Sequence, residues 1–341
     1  MISVFDDGPC PPCPAPFNMA AHVLARADAQ PGKTALQVLG AGGESLTYAA
    51  LKAAVLGTGA GLLAAGVGPG DIVLMRLGNT PDFPLAYLGA IAIGAVPVPT
   101  SSQLTAREVE AIVADLAPRL VLHDPAVATA AHPRTVPLER LRGWRDLAPA
   151  EFHMGDPDRL GYIVYTSGTS GRPRAVAHAH RAIWARRMMI ADWYDLRPED
   201  RVLHAGAFNW TYTLGTGLMD PWSIGATALI PAPGTDPAAL PALLRDHHAT
   251  IFAAAPGVYR RLLKSDARLD LPDLRHGLTA GEKLSEDLAQ AWESATGRGL
   301  YEAYGMSEVS TFISACPARP ATGGALGRPQ RGRRVAILGA D

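Results

Sequence analysis

Short apolar runs alternate with longer amphipathic runs along most of this chain, and this alternation narrows the choice of fold more than any other feature. Residues 71–77 (DIVLMRL) predict a buried strand, and 79–93 predict a helix that opens with cap candidates and a proline. Residues 95–99 (AVPVP) predict a strand that its prolines place at an edge or an end of a sheet. A further strand follows at 119–123. This strand–helix–strand order predicts a mainly parallel sheet with helices on both faces.

The helix before residue 119 carries a capping box, in which Thr105 and Glu108 satisfy each other's backbone amides, and it is expected to end at Leu116. Residues 124–158 contain several prolines and no sustained period, which indicates a junction between subdomains. The alternation then resumes, with predicted strands at 160–165, 175–179, 201–205, 226–230, 250–253 and 299–301, and predicted helices at 181–194, 236–247, 256–264 and 285–296.

The expected fold class is α/β, with two stacked α/β subdomains that have mainly parallel sheets and helices on both faces, plus the start of a small β-barrel subdomain. The expected boundaries are an N-terminal coil at 1–16, a first subdomain at 17–158, a second subdomain with a nucleotide loop at 159–320, and the start of the barrel at 321–341.

Composition excludes several functional classes. Of the 341 residues, 48% are hydrophobic and 18% are charged, below the roughly 25% of typical soluble domains, so the chain has ample apolar surface for a core. Thirty-one basic and 32 acidic residues argue against a general binder of nucleic acids or membrane surfaces. The longest apolar run, 86–99, is shorter than the ~20 residues that cross a bilayer, and Asp6 and Asp7 stand where a signal peptide carries basic residues. We therefore expect a cytoplasmic enzyme with no membrane span and no nucleic-acid partner.

Two of the three cysteines, Cys10 and Cys13, have the CxxC spacing of a redox pair or of half a zinc site. The chain has no second CxxC, and the pair lies in a proline-rich stretch with no strand before it. Two incidental thiols in an N-terminal coil are therefore the favoured interpretation.

Residues 165–174 (YTSGTSGRPR) carry the strongest chemical signal. Their hydroxyl groups and glycines can bring several donors onto phosphate oxygens, and Arg172 and Arg174 can neutralise the phosphate charge. The segment is not a Walker A loop, and the Gly-Lys-Thr at 32–34 has Ala27 where that motif requires its first glycine. An ordinary Ser/Gly turn is the alternative, which the strand-like runs on both sides of the segment disfavour.

This segment resembles the phosphate loop of the AMP-forming adenylating enzymes, a superfamily that includes acyl-CoA synthetases, luciferases and the adenylation domains of peptide synthetases. The loop is usually [ST]-[ST]-G-[ST]-[ST]-G-x-P-K-G, and this chain has Arg174 and Ala175 in place of the last lysine and glycine. Other segments resemble the family in the same order, at 46–51, 87–100, 279–282, 301–308 and 323–329. The chain is most similar to medium-chain or aryl (benzoate-type) acyl-CoA synthetases.

The resemblance implies that Tyr304 lies flat against adenine, although a tyrosine packed in the core is the alternative. It implies that Ser307 donates to the α-phosphate and that Glu308 holds Mg²⁺, and Thr166, Ser307 and Glu308 are the implied catalytic residues. The implied ATP-binding residues are Thr166, Ser167, Gly168, Thr169, Ser170, Gly171, Arg174, Gly281, Glu282, Lys283, Glu302, Ala303, Tyr304, Gly305, Met306 and Ser307. For Glu282, a cap or a solvent-exposed side chain is the alternative. His178 and His180 both follow the loop, and one is expected to face the site and the other to face away.

The implied reaction has two steps, in which a carboxylate attacks ATP to give acyl-AMP and the thiol of coenzyme A then displaces AMP. The implied substrate is a hydrophobic carboxylic acid, medium-chain or aryl, with Trp210, Tyr212, Leu214 and Gly281 near its tail. Core packing is the alternative for Trp210, Tyr212 and Leu214. A carrier-protein thiol is the alternative acceptor, and a non-catalytic binder of nucleotide or acyl ligand is the alternative function. The four arginines within 328–334 are interpreted as a solvated or interdomain face rather than a nucleic-acid patch.

Family members continue with the rest of a barrel, a ribose-binding Thr-Gly-Asp segment, a hinge, and a C-terminal domain that carries a catalytic lysine. None of these features precedes Asp341, so this chain is expected to be an N-terminal domain that is weak in catalysis by itself. Its expected partners are the small-molecule acid and that C-terminal domain, and a homodimer is a further candidate assembly.

Overall fold

The structure is a computed structural model, and it describes residues 3–40, 43–166, 174–264 and 269–338. In chain order the strands are β1 (Ser3–Asp6), β2 (Thr34–Leu39), β3 (Ser45–Thr47), β4 (Ile72–Arg76), β5 (Val96–Pro99), β6 (Leu120–His123), β7 (Thr135–Pro137), β8 (Leu160–Thr166), β9 (Arg174–Ala179), β10 (Arg201–His204), β11 (Thr227–Pro231), β12 (Ile251–Ala253), β13 (His276–Ala280), β14 (Leu300–Met306), β15 (Ser310–Ser314), β16 (Arg328–Pro329) and β17 (Arg334–Ile337).

The α-helices, in the same order, are α1 (Met19–Val23), α2 (Tyr48–Ala64), α3 (Asp82–Ala92), α4 (Ala106–Leu116), α5 (Leu138–Gly143), α6 (Asp220–Ile224), α7 (Leu240–Asp246), α8 (Pro256–Leu262) and α9 (Glu286–Thr296). Short 3-10 or π-helical turns occur at Trp144–Asp146, His180–Ala182, Trp184–Arg186, Ile190–Tyr194, Thr213–Met219 and Pro237–Ala239.

Two sheets organise the chain, and both are mainly parallel. The larger has the strand order β16-β15-β14-β13-β12-β10-β11-β2-β3, and its central strands from β14 to β2 are all parallel. The smaller sheet is parallel throughout, with the order β5-β4-β6-β7. Helices connect most of the successive parallel strands, with β6–β7 as an exception, which confirms the predicted α/β class.

Several local predictions are confirmed, because the contacts that decide them join residues close together in the sequence. Strand β5 lies at an end of its sheet, as its two prolines require, because proline has no N–H for a second neighbour. Helix α4 begins with the predicted capping box, in which Thr105 and Glu108 exchange hydrogen bonds. Helix α9 begins after Ser285, whose hydroxyl accepts from the Leu288 amide.

The predicted helix over 181–194 is wrong, because this segment is broken into 3-10 and π-helical turns. Its side chains are committed to separate partners: Trp184 donates to the Pro11 carbonyl at 3.0 Å, and Arg186 is turned inward onto Asp220. These tertiary contacts outweigh the helical preference of the sequence.

Two predicted boundaries need correction. Strands β2 and β3 fall within 17–158, the predicted first subdomain, yet they extend the larger sheet through the β2–β11 pairing. Residues 1–16, predicted as coil, contain β1, which pairs antiparallel with β17 from the predicted start of the barrel. Both pairings join residues that are far apart in sequence, so no local pattern reports them.

The N-terminal segment is also fastened by contacts beyond β1. The Cys10 thiol lies 3.7 Å from the carbonyl oxygen of Arg331 and donates to it, and all three cysteines are free thiols.

Across the described ranges, no helix is both long and apolar enough to cross a membrane.

Candidate functional site

The end of β14 lies between two cavities. The strand continues through Met306 into a turn at 307–309, and β15 returns antiparallel beside it. The β14–β15 register shifts between Tyr304 and Gly305, which redirects the side chains at the end of the strand. This turn contains Ser307 and Glu308, two of the residues that the sequence resemblance assigns to catalysis.

The first cavity, which we call the nucleotide groove, has a volume of about 1140 Å³. It is formed by the loop after β13, by β14 and by residues 320–326. Of the residues with an implied ATP role, it contains Gly281, Glu282, Lys283, Glu302, Ala303, Tyr304 and Gly305. Side chains from two adjacent parallel strands meet here because both strands end at the same edge of the sheet.

Tyr304 presents its ring to the groove and is not a core residue. Its side chain is 49% exposed, and its only ring neighbour among the described residues is Phe312, edge-to-face with centroids 5.3 Å apart. One face of the phenol ring is therefore available for a flat ligand.

Glu302 has a positioning role at the groove. Its carboxylate accepts a hydrogen bond of 3.0 Å from the Leu284 amide, which ties the loop after β13 to β14. Burial raises the pKa of Glu302, although the Leu284 amide and the charge of Lys283 oppose this effect. Glu282 is exposed and forms an ion pair with Arg260 at 3.1 Å, so its carboxylate already has a cationic partner.

Two glycines at the site allow neighbouring groups to lie close to the backbone. Gly281 has φ +94°, and a Cβ there would lie 2.6 Å from Cζ2 of Trp210, whose indole covers this residue. At Gly305 a Cβ would lie 2.6 Å from the carbonyl carbon of Ser310. A side chain is thus excluded at Gly281 by backbone conformation and by Trp210, and at Gly305 by neighbouring backbone.

The second cavity, which we call the β8–β9 cavity, has a volume of about 460 Å³. Strands β8 and β9, the turns that follow them and the 307–310 turn form its walls. It contains Ser307, Glu308 and Leu214 of the predicted site residues, together with Tyr87, Tyr162, Ala177, His178, Ala179, Arg181, Ala182, Ala185, Arg186, Thr211, Met219, Val309, Ser310 and Arg333.

The two histidines after the phosphate segment face opposite ways. Residues two apart on a strand share a face, but β9 ends at Ala179 and His180 begins the following 3-10 turn. His178 lines the β8–β9 cavity and stacks on Tyr162, with centroids 4.6 Å apart and an interplanar angle of 14°. Burial lowers the pKa of His178, although a hydrogen bond with the Ser307 backbone opposes this effect. His180 is buried on the other side, where its Nδ1 accepts from the Met19 amide, and burial lowers its pKa to about 3.

A buried ion pair forms the floor of the β8–β9 cavity. Arg186 donates to Asp220 through Nε and Nη2, with a shortest distance of 2.6 Å, and Tyr194 donates to the same carboxylate at 2.9 Å. Arg186 also donates to the Ser310 hydroxyl, which joins the ion pair to the turn at the end of β14. Burial alone would lower the pKa of Arg186, but Asp220 and its neighbours raise it above the ordinary value, so the guanidinium stays charged.

The structure places the residues predicted to contact the acyl tail in different environments. Leu214 lines the β8–β9 cavity, whereas Tyr212 is buried in the core and donates to the Leu278 carbonyl at 3.1 Å. Trp210 packs between Tyr212 and Gly281 and lines neither cavity. Core packing, the alternative for these residues, therefore describes Tyr212 better than a substrate role does.

The ends of the predicted phosphate loop are held opposite each other. Thr166 ends β8, Arg174 begins β9, and the two residues are paired in the antiparallel ladder. The predicted loop residues Ser167, Gly168, Thr169, Ser170 and Gly171 lie outside the described residues. Met306 is exposed and lines neither cavity.

Sequence reasoning missed several residues of the β8–β9 cavity, above all Tyr87, Tyr162, Arg186 and Arg333. Tyr87 and Tyr162 lie in apolar runs that predict only a helix and a strand. Arg333 lies in the arginine-rich run whose composition favours a solvated or interdomain face. Of the predicted site residues, Leu214, Ser307 and Glu308 line this cavity, and the expectation that one of His178 and His180 faces the site also pointed to it.

Glu308 is the one predicted metal ligand, and it suits Mg²⁺. In the part of the chain that the structure describes, no three His, Cys, Asp or Glu side chains come together as a metal cluster, and no ion pair occupies the Glu308 carboxylate. A single carboxylate is the usual protein share of a Mg²⁺ shell that phosphate oxygens and water complete. The donor chemistry of Glu308 thus fits a nucleotide-bound Mg²⁺.

Comparison with known proteins agrees with the sequence resemblance. Residues 23–341 match the family described as "AMP-binding enzyme". The chain therefore belongs to the AMP-binding enzyme family.

Two curated relatives are aryl-CoA ligases. The chain is 33% identical over 323 residues to the 3-hydroxybenzoate–CoA ligase of Aromatoleum sp. (strain CIB), covering 88% of this chain and 62% of that protein. It is 35% identical over 299 residues to the 3-hydroxybenzoate–CoA/4-hydroxybenzoate–CoA ligase of Thauera aromatica, covering 81% of this chain and 57% of that protein. The chain thus spans about 60% of the length of these relatives.

Solved structures of aryl-CoA ligases share the fold. The anthranilate CoA ligase AuaEII, in complex with anthranoyl-AMP, superposes with a TM-score of 0.84 at 23% identity, over 93% of this chain and 64% of that one. A benzoate CoA ligase from Burkholderia xenovorans LB400 superposes with a TM-score of 0.81 at 25% identity, over 92% of this chain and 66% of that one.

Proposed function

We propose that this chain is the ATP- and acid-binding part of an enzyme that activates an aryl carboxylic acid to its acyl-AMP and transfers the acyl group to coenzyme A. The observation that carries the proposal is the position of Ser307 and Glu308, on a turn between a groove with an exposed tyrosine ring and a second, aromatic-lined cavity. Such a turn can present a hydroxyl and a carboxylate to groups that enter from both sides.

The groove is large enough for a nucleotide, and one face of the Tyr304 ring is open to it. Tyr304 offers a flat surface for adenine, and Gly281 and Gly305 let backbone approach a ligand closely. Bound ATP supplies the electrophilic phosphorus and the Mg²⁺-bridging oxygens that the reaction needs. Ser307 then donates a hydrogen bond to phosphate oxygen, and Glu308 provides a metal ligand beside it.

The aryl class of acid is supported by the named relatives and by the aromatic lining of the β8–β9 cavity. The proposal includes Mg²⁺ and coenzyme A as cofactors, a small-molecule acid as partner and a cytoplasmic location. Thr166 and Arg174 belong to the proposed phosphate site, at the two ends of the segment 167–173.

Calorimetry with non-hydrolysable acyl-AMP mimics tests the proposed function with residues 1–341. We expect the benzoyl sulfamate of adenosine to bind, and to bind at least tenfold tighter than adenosine alone, because the acyl part fills a second cavity. A panel that adds hexanoyl and dodecanoyl mimics reports the class of acid. If no acyl-AMP mimic binds to protein that circular dichroism shows to be folded, the proposed function is wrong.

Replacing Tyr304 with Ala is expected to weaken binding of the benzoyl mimic and of AMP by about tenfold, because a base stacked on an aromatic ring gains about 1–3 kcal/mol. Tyr304→Phe keeps the ring and is expected to retain affinity within about twofold. Calorimetric dissociation constants for the three proteins check this prediction. Equal affinities for Tyr304→Ala and the unmodified chain would place adenine elsewhere.

A further inference from the structure

Ser310 has an unusual backbone conformation for a residue with a side chain. Its φ is +59°, in the left-handed region that residues other than glycine rarely adopt. It is the first residue of β15, and it directly follows the 307–309 turn that contains Ser307 and Glu308. Such a conformation costs free energy and persists only where the surrounding structure holds it in place. The contacts of Ser310 therefore bear on how the turn is fixed.

The side chain of Ser310 is held from the protein interior. Its hydroxyl accepts a hydrogen bond from Nη1 of Arg186, and the same guanidinium donates to Asp220. The Arg186 and Asp220 side chains are only 8% and 4% exposed. Because breaking a buried ion pair is costly, Arg186 cannot follow a turn that moves. Arg186 is therefore a fixed donor that holds Ser310 in its left-handed conformation.

The main chain around Ser310 is confined as well. A Cβ at Gly305 would lie 2.1 Å from the Ser310 carbonyl oxygen, so β14 packs directly against this residue. Within the turn, the Val309 amide donates to the Met306 carbonyl at 3.2 Å. Because both its side chain and its backbone are confined, Ser310 determines where the 307–309 turn ends.

The Glu308 carboxylate depends on this backbone for its position. Among the residues that the structure describes, no side chain forms an ion pair or a hydrogen bond with the Glu308 carboxylate. Mg²⁺ requires nearly octahedral ligands at about 2.0–2.1 Å, so a small displacement of the backbone would remove this carboxylate from the metal shell.

We propose that Ser310, held in its left-handed conformation by Arg186, is the positioning residue of the 307–309 turn and places the Glu308 carboxylate and the Ser307 hydroxyl for a Mg²⁺-bound nucleotide. Ser310 acts through the turn rather than by contacting the metal. This inference rests on the proposed function, since the roles of Ser307 and Glu308 belong to it. It gives the buried Arg186–Asp220 pair a role in ligand binding in addition to its role in stability.

Calorimetry with the α,β-methylene analogue of ATP, whose bridging carbon prevents cleavage, tests this role in residues 1–341. We expect the unmodified chain to bind the analogue at least tenfold tighter with Mg²⁺ than with EDTA. Ser310→Ala removes the acceptor oxygen but keeps the strained backbone, and it should reduce this Mg²⁺ ratio at least fivefold. Its affinity for adenosine should stay within twofold, because Tyr304 precedes the turn on β14.

Two further variants separate positioning from a general loss of packing. Ser310→Gly also lacks the hydroxyl but adopts the left-handed conformation freely, so it should keep the Mg²⁺ ratio within about twofold. Ser314→Ala is the control, because it removes a hydroxyl at the other end of β15 that donates to the Asp192 carbonyl at 2.8 Å. It should leave the ratio unchanged. An unchanged ratio in Ser310→Ala, or a loss as large in Ser310→Gly or Ser314→Ala, would overturn the inference.

Amide hydrogen exchange gives a readout that needs no ligand. The Val309 amide should exchange at least fivefold faster in Ser310→Ala than in the unmodified chain, with no change in Ser314→Ala. If acyl-AMP mimics bind but neither exchange nor the Mg²⁺ ratio responds to Ser310→Ala, the inference fails and the proposed function stands. If exchange rises as expected but no adenine ligand binds to the folded chain, Ser310 still positions the turn and the proposed function fails.

Discussion

Replacing Asp220 with Asn is expected to lower the free energy of unfolding by about 3–5 kcal/mol, the range for removing one partner of a buried ion pair. The Asp220 and Arg186 side chains are only 4% and 8% exposed, so water cannot replace the lost charge. The carboxylate of Asp220 accepts from both Arg186 and the Tyr194 hydroxyl, and an amide nitrogen in its place would face those donors. Urea denaturation, followed by tryptophan fluorescence, measures the change.

The control for Asp220→Asn is the same substitution at Asp28. Asp28 is 81% exposed and forms a surface ion pair with Lys52 at 2.8 Å, so Asp28→Asn should cost less than about 1 kcal/mol. If the two variants differ by less than about 1 kcal/mol, the Arg186–Asp220 pair does not hold the floor of the β8–β9 cavity. Because Arg186 also contacts Ser310, we expect Asp220→Asn to weaken aryl-acid binding as well.

Replacing Gly305 with Ala is expected to destabilise the protein by about 3 kcal/mol and to weaken AMP binding at least tenfold. The new methyl group would lie 2.6 Å from the carbonyl carbon of Ser310, and the obstacle is backbone, which cannot move aside by a rotamer change. The clash must separate β14 from β15 at their register shift, and that movement displaces both Tyr304 and the Ser307 turn. Denaturation and calorimetry with AMP measure the two effects.

Gly143→Ala is the matched control for Gly305→Ala. Gly143 has φ −63° and ψ −17°, and a Cβ there would meet nothing within 4 Å. An alanine fits this conformation, so we expect no loss of stability and a gain of up to about 1 kcal/mol. A Gly305→Ala protein as stable as Gly143→Ala, with unchanged AMP affinity, would contradict the steric argument.

The groove and the β8–β9 cavity were predictable to different degrees. Of the predicted ATP-binding residues in the groove, all except Lys283 lie in two short motifs, 279–282 and 301–308, and each motif includes the carboxyl end of a strand of the same parallel sheet. Strand order alone places such motifs together, because adjacent parallel strands end at one edge. The β8–β9 cavity contains Tyr87 from α3, Arg186 from a 3-10 turn and Arg333 from the residue before β17, and no motif links these positions.

Trp210 and Tyr212 illustrate the same limit on a smaller scale. An aromatic- and glycine-rich segment is typical of a binding pocket and equally typical of a core, since both bury large apolar rings. The structure separates the two residues: Tyr212 is hydrogen-bonded to the Leu278 carbonyl in the core, and Trp210 covers Gly281.

Family membership, the α/β class and the ends of several helices follow from the sequence, because each depends on contacts within a few residues or on motifs that carry their own chemistry. The capping box of α4 and the prolines of β5 need no distant partner to act. The pairing of β1 with β17, the extension of the larger sheet by β2 and the inward turn of Arg186 were decided only in the tertiary structure. These features depend on which remote groups remain to be paired or buried once the chain is packed, and this information is not local in the sequence.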